Sequence, residues 1–228
     1  MLKYDKILVF DFETTGLNPH LSEIIEIGAI LLKKTGLDYV VEKELNLLIK
    51  QTTLLPAKIV EITNITDELL EKEGVVKPIA FEHFYELYSP NTLLVAYNIQ
   101  FDIKFLIKFF KDFLGNNFEI NNDLLDVMAV YKDFHQFPHR LESALEVYPV
   151  GVPNSHRAKD DALATYLVLK KMVEELPSKF NLQEPFQLQK YINVIGQNPK
   201  YKVPYYERIN YCKYIDHYPN KQIIYNLK

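Results

Sequence analysis

The 228-residue chain has a single cysteine, Cys212, so it can form no intramolecular disulfide and no thiolate metal cluster. It lacks any run of about 18 apolar residues, the length a membrane-spanning helix requires. Its first residues, Met1 to Lys6, lead toward a strand without the apolar core of a secretory signal. The expected location is therefore the cytoplasm, with no membrane partner. No internal repeat, coiled-coil register or low-complexity tract stands out either. What is present is a 48% apolar composition in a chain long enough to bury a substantial core.

The most informative segment is Lys6-Ile-Leu-Val-Phe-Asp-Phe-Glu-Thr-Thr-Gly16, in which Asp11 and Glu13 stand where an apolar run meets a turn. Side chains alternate along a strand, so residues two apart emerge side by side at its mouth. Like charges held that close are costly unless a cation neutralises them, and Mg2+ typically takes one or two protein carboxylates plus phosphate oxygens. Taken alone, the pair also fits a strand whose acidic end solvates a turn.

Two further blocks change that balance. Thr92-Leu-Leu-Val-Ala-Tyr-Asn-Ile-Gln-Phe-Asp102 is an apolar, strand-like run that leads into an amphipathic, helix-like one. Ser155-His156-Arg-Ala-Lys-Asp160-Asp161-Ala-Leu-Ala-Thr165 is a loop that runs into a helix. Together the three blocks resemble the three motifs of the DEDDh exonuclease superfamily. They are most similar to the proofreading exonucleases of bacterial replication, the epsilon subunit of DNA polymerase III and the exonuclease domain of PolC. Glu23-Ile-Ile-Glu-Ile-Gly-Ala-Ile30 resembles the second strand of that family, and Ile62 to Leu69 resembles a stretch common in the same group. The likeness covers roughly residues 5 to 175.

That resemblance implies a set of roles. Asp11, Glu13, Asp102 and Asp161 would bind two divalent ions, Mg2+ or Mn2+, and His156 would be the general base; all five form the catalytic set. Two metals can stabilise the attacking and leaving oxygens of an in-line displacement at phosphorus. Imidazole, with an ordinary pKa of about 6.5, suits proton transfer near neutral pH. The spacing from His156 selects Asp161 over Asp160, which would face solvent or cap the helix start. Asp126 reads as structural, and His20, His83, His135, His139 and His217 as surface or packing residues.

Contacts to the terminal nucleotide fall, by the same likeness, to Thr14, Thr15 and Leu17, with Asn98, Phe101 and Phe105 as further candidates for the groove. The threonines could equally close a turn, and Phe105 fits the core face of a helix. The chain departs from the family in one place: Tyr97-Asn98-Ile99 replaces the usual His-Asn-Ala, which bears on substrate preference more than on activity.

Patterning gives strands near 6–12, 24–34, 39–49 and 92–97. Helical patterns fall near 56–61, 66–73, 79–88, 102–114, 123–133, 140–147 and 160–175. This fits a ribonuclease H-like α/β fold whose mixed five-stranded sheet is implied by the resemblance. The exonuclease domain is expected over 1–177, followed by a C-terminal extension over 178–228. The extension carries a net charge of +5, against −9 for the rest, and eight of the sixteen tyrosines. Basic residues among aromatics can grip single-stranded nucleic acid; packing of the extension onto the domain, or a small strand pair at Gln222–Tyr225, is the preferred reading. Gln187–Tyr191 has only a faint likeness to a sliding-clamp-binding peptide.

The expected function is 3'-to-5' removal of nucleotides from single-stranded or frayed DNA, in proofreading beside a DNA polymerase subunit or in free-standing trimming. An exoribonuclease of the same superfamily is the alternative, and a non-catalytic nucleic-acid-binding or polymerase-docking module the third reading.

Overall fold

The computed structural model describes residues 2–152, 156–182 and 186–194. Three strands open the chain: β1 (Lys6–Thr14), β2 (Ile24–Thr35) and β3 (Asp38–Leu48). Three short helices follow, α1 (Ala57–Thr63), α2 (Asp67–Glu73) and α3 (Lys77–Tyr85). Then come β4 (Leu93–Ala96), α4 (Ile99–Leu114) and β5 (Leu124–Asp126). Helices α5 (Val127–Phe134), α6 (Leu141–Val147) and α7 (Ala158–Lys179) complete the α/β unit, and a 3-10 turn spans Leu188–Tyr191. No described helix is long and apolar enough to cross a membrane.

The sheet has the order β3-β2-β1-β4-β5, with β1–β2 and β2–β3 antiparallel and β1–β4 and β4–β5 parallel. This is the mixed five-stranded sheet of a ribonuclease H-like α/β fold. Its central strand is buried on both sides, as its unbroken run Ile7-Leu8-Val9-Phe10 requires. Leu8, Phe10 and Phe12 enter one core with α3 and α4, while Ile7 and Val9 enter a second with α5, α6 and α7. By alternation Asp11 and Glu13 continue the row of Ile7 and Val9, so they project on the α7 side.

The segment read as one helix over 123–133 is instead strand β5 followed by helix α5. Leu124-Leu125 is apolar and buried, and a strand of three residues is too short to show its period. Asp126 ends the strand and caps the helix, accepting the Met128 N–H at 3.1 Å. Helix α7 runs through Pro177 to Lys179, past the expected domain limit. Beyond it, Leu188, Tyr191 and Val194 are buried. Asn193 bonds both ways with Leu124, its N–H to the carbonyl (2.8 Å) and its Oδ1 accepting the N–H (2.9 Å). These bonds cover the β5 edge, which would otherwise offer unpaired backbone groups. In the 3-10 turn, the two apolar residues of the clamp-like peptide, Leu188 and Tyr191, face inward. Cys212, His217, the Tyr201–Tyr214 stretch and Gln222–Tyr225 lie outside the described residues.

Candidate active site

Strand β1 delivers two carboxylates and the first turn of α7 a third. Ligand oxygens of Asp11, Glu13 and Asp161 all lie within 4.8 Å of one another. Register explains the approach of α7: Gly28 on β2 is paired with Asp11, and Glu26 with Glu13. A Cβ on Gly28 would sit 2.0 Å from the carbonyl carbon of Ala158, so only glycine lets α7 begin over the strand at this point.

Asp102, in the first turn of α4, arrives from the opposite core and stands outside the three-carboxylate cluster. Its Oδ1 accepts the Phe12 N–H at 3.1 Å, which ties it to the residue between Asp11 and Glu13. The turn before α4 is fixed at Asn98, whose backbone is left-handed (φ 66°) and whose N–H donates to Asp126 Oδ1 at 3.0 Å. Asp126 thus has a structural part. Tyr97, at the family's histidine position, is buried and donates its hydroxyl to the Arg140 carbonyl at 3.0 Å, joining this turn to the start of α6.

The electrostatics are those of crowded anions. Burial, then Asp161 and Glu26, hold the Asp11 carboxyl well above its ordinary range. Glu13 is pushed up to about 9 by burial and by Asp11, Asp161 and Glu26, with Arg157 opposing. Asp102 is raised by burial and by Asp11, while the Phe12 N–H pulls it down. Asp161 is pushed up to about 6 by burial, against the field of His156. One oxygen of Asp161, Oδ1, is buried with no hydrogen-bond partner. An all-oxygen donor set, mutual repulsion and an orphaned buried lone pair together fit a hard divalent cation.

His156 is exposed and left-handed (φ 48°) just before α7, close enough to Asp161 for its field to count. Asp160 is half-buried beside Arg157. Among the candidate contact residues, Thr14 donates its hydroxyl to the Gly16 carbonyl (2.8 Å), and Thr15 Oγ1 accepts the Glu23 N–H (3.0 Å). Both threonines therefore close the β1–β2 turn, which holds Leu17 out at 60% exposure. Asn98 and Phe101 are half-buried; Phe105 is buried in the core, its ring 5.0 Å from that of Phe101. His20 and His83 are exposed, whereas His135 and His139 pack around Tyr131.

Sequence reasoning gave no role to Glu26 or Arg157. Glu26 is fully buried, accepting Arg157 Nε (2.9 Å) and Nη2 (2.8 Å) on Oε1 and the Ala158 N–H (3.1 Å) on Oε2. The available signal was a lone charge inside the apolar run Ile24-Ile-Glu-Ile-Gly-Ala-Ile-Leu-Leu32, because a charge buried in such a strand must be paired.

The RNase_T family model, described as Exonuclease, matches residues 8–169. DNA polymerase III PolC-type of Thermotoga petrophila is 35% identical over 168 residues, covering 73% of this chain, and that of Bacillus subtilis is 29% identical over 183 residues, covering 78%. The chain spans only 12% of the length of either. Among solved structures, E. coli exonuclease I in complex with a dT13 oligonucleotide has a TM-score of 0.63 at 19% identity. A zinc-bound complex of the E. coli enzyme with single-stranded DNA has a TM-score of 0.64 at 20% identity. Each match covers 78% of this chain and 42% of the other, a likeness of fold.

Proposed function

The chain belongs to the exonuclease family, and from that premise we propose that it is a metal-dependent 3'-to-5' exonuclease acting on single-stranded or frayed DNA. The observation that carries the proposal is the convergence of Asp11, Glu13 and Asp161 within 4.8 Å, with Asp161 Oδ1 buried and unpartnered. These three carboxylates, with Asp102 behind them, would hold two divalent ions, Mg2+ or Mn2+. Such ions, when bound, neutralise the scissile phosphodiester and stabilise the attacking and leaving oxygens.

The chain's own residues then divide the remaining work. Asp102, anchored on the Phe12 N–H, fixes the far side of the site. His156 takes a proton from the attacking water at a ring nitrogen. The water oxygen bonds to phosphorus as the bond from phosphorus to the bridging O3' breaks, O3' takes up a proton from solvent, and a nucleoside 5'-monophosphate leaves. Exposed Leu17, held by the Thr14–Thr15 turn, lies against the terminal base, with Asn98 and Phe101 along the groove.

DNA is favoured over RNA because the relatives are named as DNA polymerases and the fold neighbours are solved with DNA oligonucleotides. A proofreading or trimming role, beside a polymerase subunit or alone, follows from the same likeness. Residues 1–177 form the catalytic domain in this reading. Residues 186–194 pack at the β5 edge. Digestion of a 5'-labelled single-stranded DNA beside the same RNA sequence, with Mg2+, Mn2+ or EDTA, tests all of this. The expected result is a metal-dependent ladder shortening from the 3' end, faster on DNA. Faster cleavage of RNA reverses the polymer assignment, and binding without cleavage supports the docking-module reading.

A further inference from the structure

Four acidic residues meet at the mouth of the sheet, and one of them is built differently. Glu26 lies opposite Glu13 in the antiparallel pair, on the same face as Asp11, Glu13 and Asp161. Both of its oxygens are nevertheless consumed by the protein, by the Arg157 guanidinium and by the first N–H of α7. Its charge is neutralised from within, whereas Asp161 keeps a buried oxygen without a hydrogen-bond partner.

We propose that Glu26 and Arg157 are positioning residues that dock the first turn of α7 on the sheet and thereby set the divalent-ion affinity of the site. Three observations converge on this role. Asp161 follows one helical turn after the clamp, its N–H donating to the Arg157 carbonyl at 3.0 Å, so the position of Arg157 fixes that of Asp161. His156 immediately precedes Arg157, so the same contact fixes where the proton acceptor leaves its loop. Gly28, two residues beyond Glu26 on β2, removes the one Cβ that would prop the helix off the strand. The clamp joins residues 131 apart in sequence, and because Glu26 is fully buried while Arg157 is partly exposed, removing Arg157 would leave a buried carboxylate without its partner.

The inference rests on the metal-dependent reading above, and the test separates the two. Mn2+ is titrated into wild type, Asp161→Ala, Glu26→Gln, Arg157→Gln and the double variant Glu26→Gln/Arg157→Gln. Free Mn2+ is read by electron paramagnetic resonance, and folding by circular dichroism in the same samples. Groups that orient metal ligands typically contribute about 10–100-fold in affinity, and losses of that size are expected in both single variants. The double variant should lose no more than the worse single one, since the pair acts as a unit. Excess Mn2+ should restore oligonucleotide turnover in the clamp variants but not in Asp161→Ala, a recovery that mere loss of folded protein would not give. Wild-type affinity in either folded single variant overturns the proposal. If a glutamine variant fails to fold, Arg157→Lys decides: it keeps the charge but loses the two-nitrogen fork, and unchanged Mn2+ affinity there overturns the proposal equally. Equal Mn2+ binding by wild type and Asp161→Ala overturns the metal-dependent reading itself, and the clamp role with it.

Discussion

Helices α4 and α7 each bring an aspartate to the same end of the sheet, yet they are held there by opposite means. Asp102 on α4 is locked by a backbone hydrogen bond and backed by a dense aromatic core. The Phe110 ring alone lies 4.9 Å from Tyr88, 5.3 Å from Phe118 and 5.7 Å from Phe81. Asp161 on α7 keeps an oxygen without a hydrogen-bond partner, and the start of its helix is held by the Glu26 contacts, a Lys159–Glu44 ion pair at 2.6 Å and a missing Cβ. Packing therefore secures the first carboxylate through many weak contacts, and a few specific groups secure the second. Damage to the α4 side should be read in stability, and damage to the α7 side in metal binding and turnover.

The largest effect expected from this contrast is Phe110→Ala. Removing a fully buried ring costs about 3–5 kcal/mol, measurable by urea denaturation. Mn2+ affinity of the protein that stays folded at low temperature should hardly move. A loss of metal affinity in parallel with stability would erase the distinction between the helices.

Next comes Gly28→Ala. A methyl 2.0 Å from the Ala158 carbonyl carbon must push the first turn of α7 away. Misplacement by about 1 Å at a reacting centre can cost about 10^2-fold in rate. Single-turnover kinetics on a labelled oligonucleotide should show a drop of that order, and near-wild-type turnover would mean that α7 tolerates displacement.

Asp102 allows a sharper comparison, because its charge and its hydrogen bond can be removed separately. Asp102→Asn keeps an acceptor for the Phe12 N–H while deleting a buried charge that its neighbours already repel. Metal-free stability should be retained or improved, while turnover falls. Asp102→Ala also orphans the Phe12 N–H, a further cost of about 1–3 kcal/mol. Equal thermal midpoints for the two variants in EDTA would remove the anchoring role assigned to that bond.

The same contrast explains what could be read from the chain. Asp11 and Glu13 were legible because strand alternation places them side by side, and Asp161 because the motif that this block resembles sets its distance from His156. The clamp was not, because Glu26, although a lone charge in an apolar strand, does not reveal its partner, and Arg157 lies 131 residues away. Strand β5 was hidden for a different reason: Leu124-Leu125 shows no period in so short a run, and Asp126 serves as strand end and helix cap at once. The threonines of the first motif were ambiguous in sequence because turn closure and substrate contact call for the same hydroxyl. Their bonds to Gly16 and Glu23 reveal the turn-closing part.

The smallest effect belongs to the far end of α7, where no metal-site group intervenes. His135 stacks on Tyr131 at 4.4 Å, its Nε2 lies 2.8 Å from the Tyr148 hydroxyl, and Lys179 of α7 sits over the Tyr148 ring at 4.4 Å. Burial, then the charges of Lys179 and His139, push the His135 imidazole down to about 4. Below the ordinary histidine value of about 6.5 the unfolded chain takes up this proton while the folded protein resists it. His135 therefore contributes stability that is fully present above about pH 6.5 and is lost as the pH falls toward 4, with a slope of at most about 1.4 kcal/mol per pH unit. His135→Gln should flatten the stability profile in that window and leave Mn2+ affinity unchanged, as chemical denaturation at pH 4.5, 5.5 and 7 would reveal. An unaltered slope would assign the acid sensitivity elsewhere. A change in metal affinity would mean that the two ends of α7 are coupled, and that the clamp at its start is not the sole determinant of where Asp161 stands.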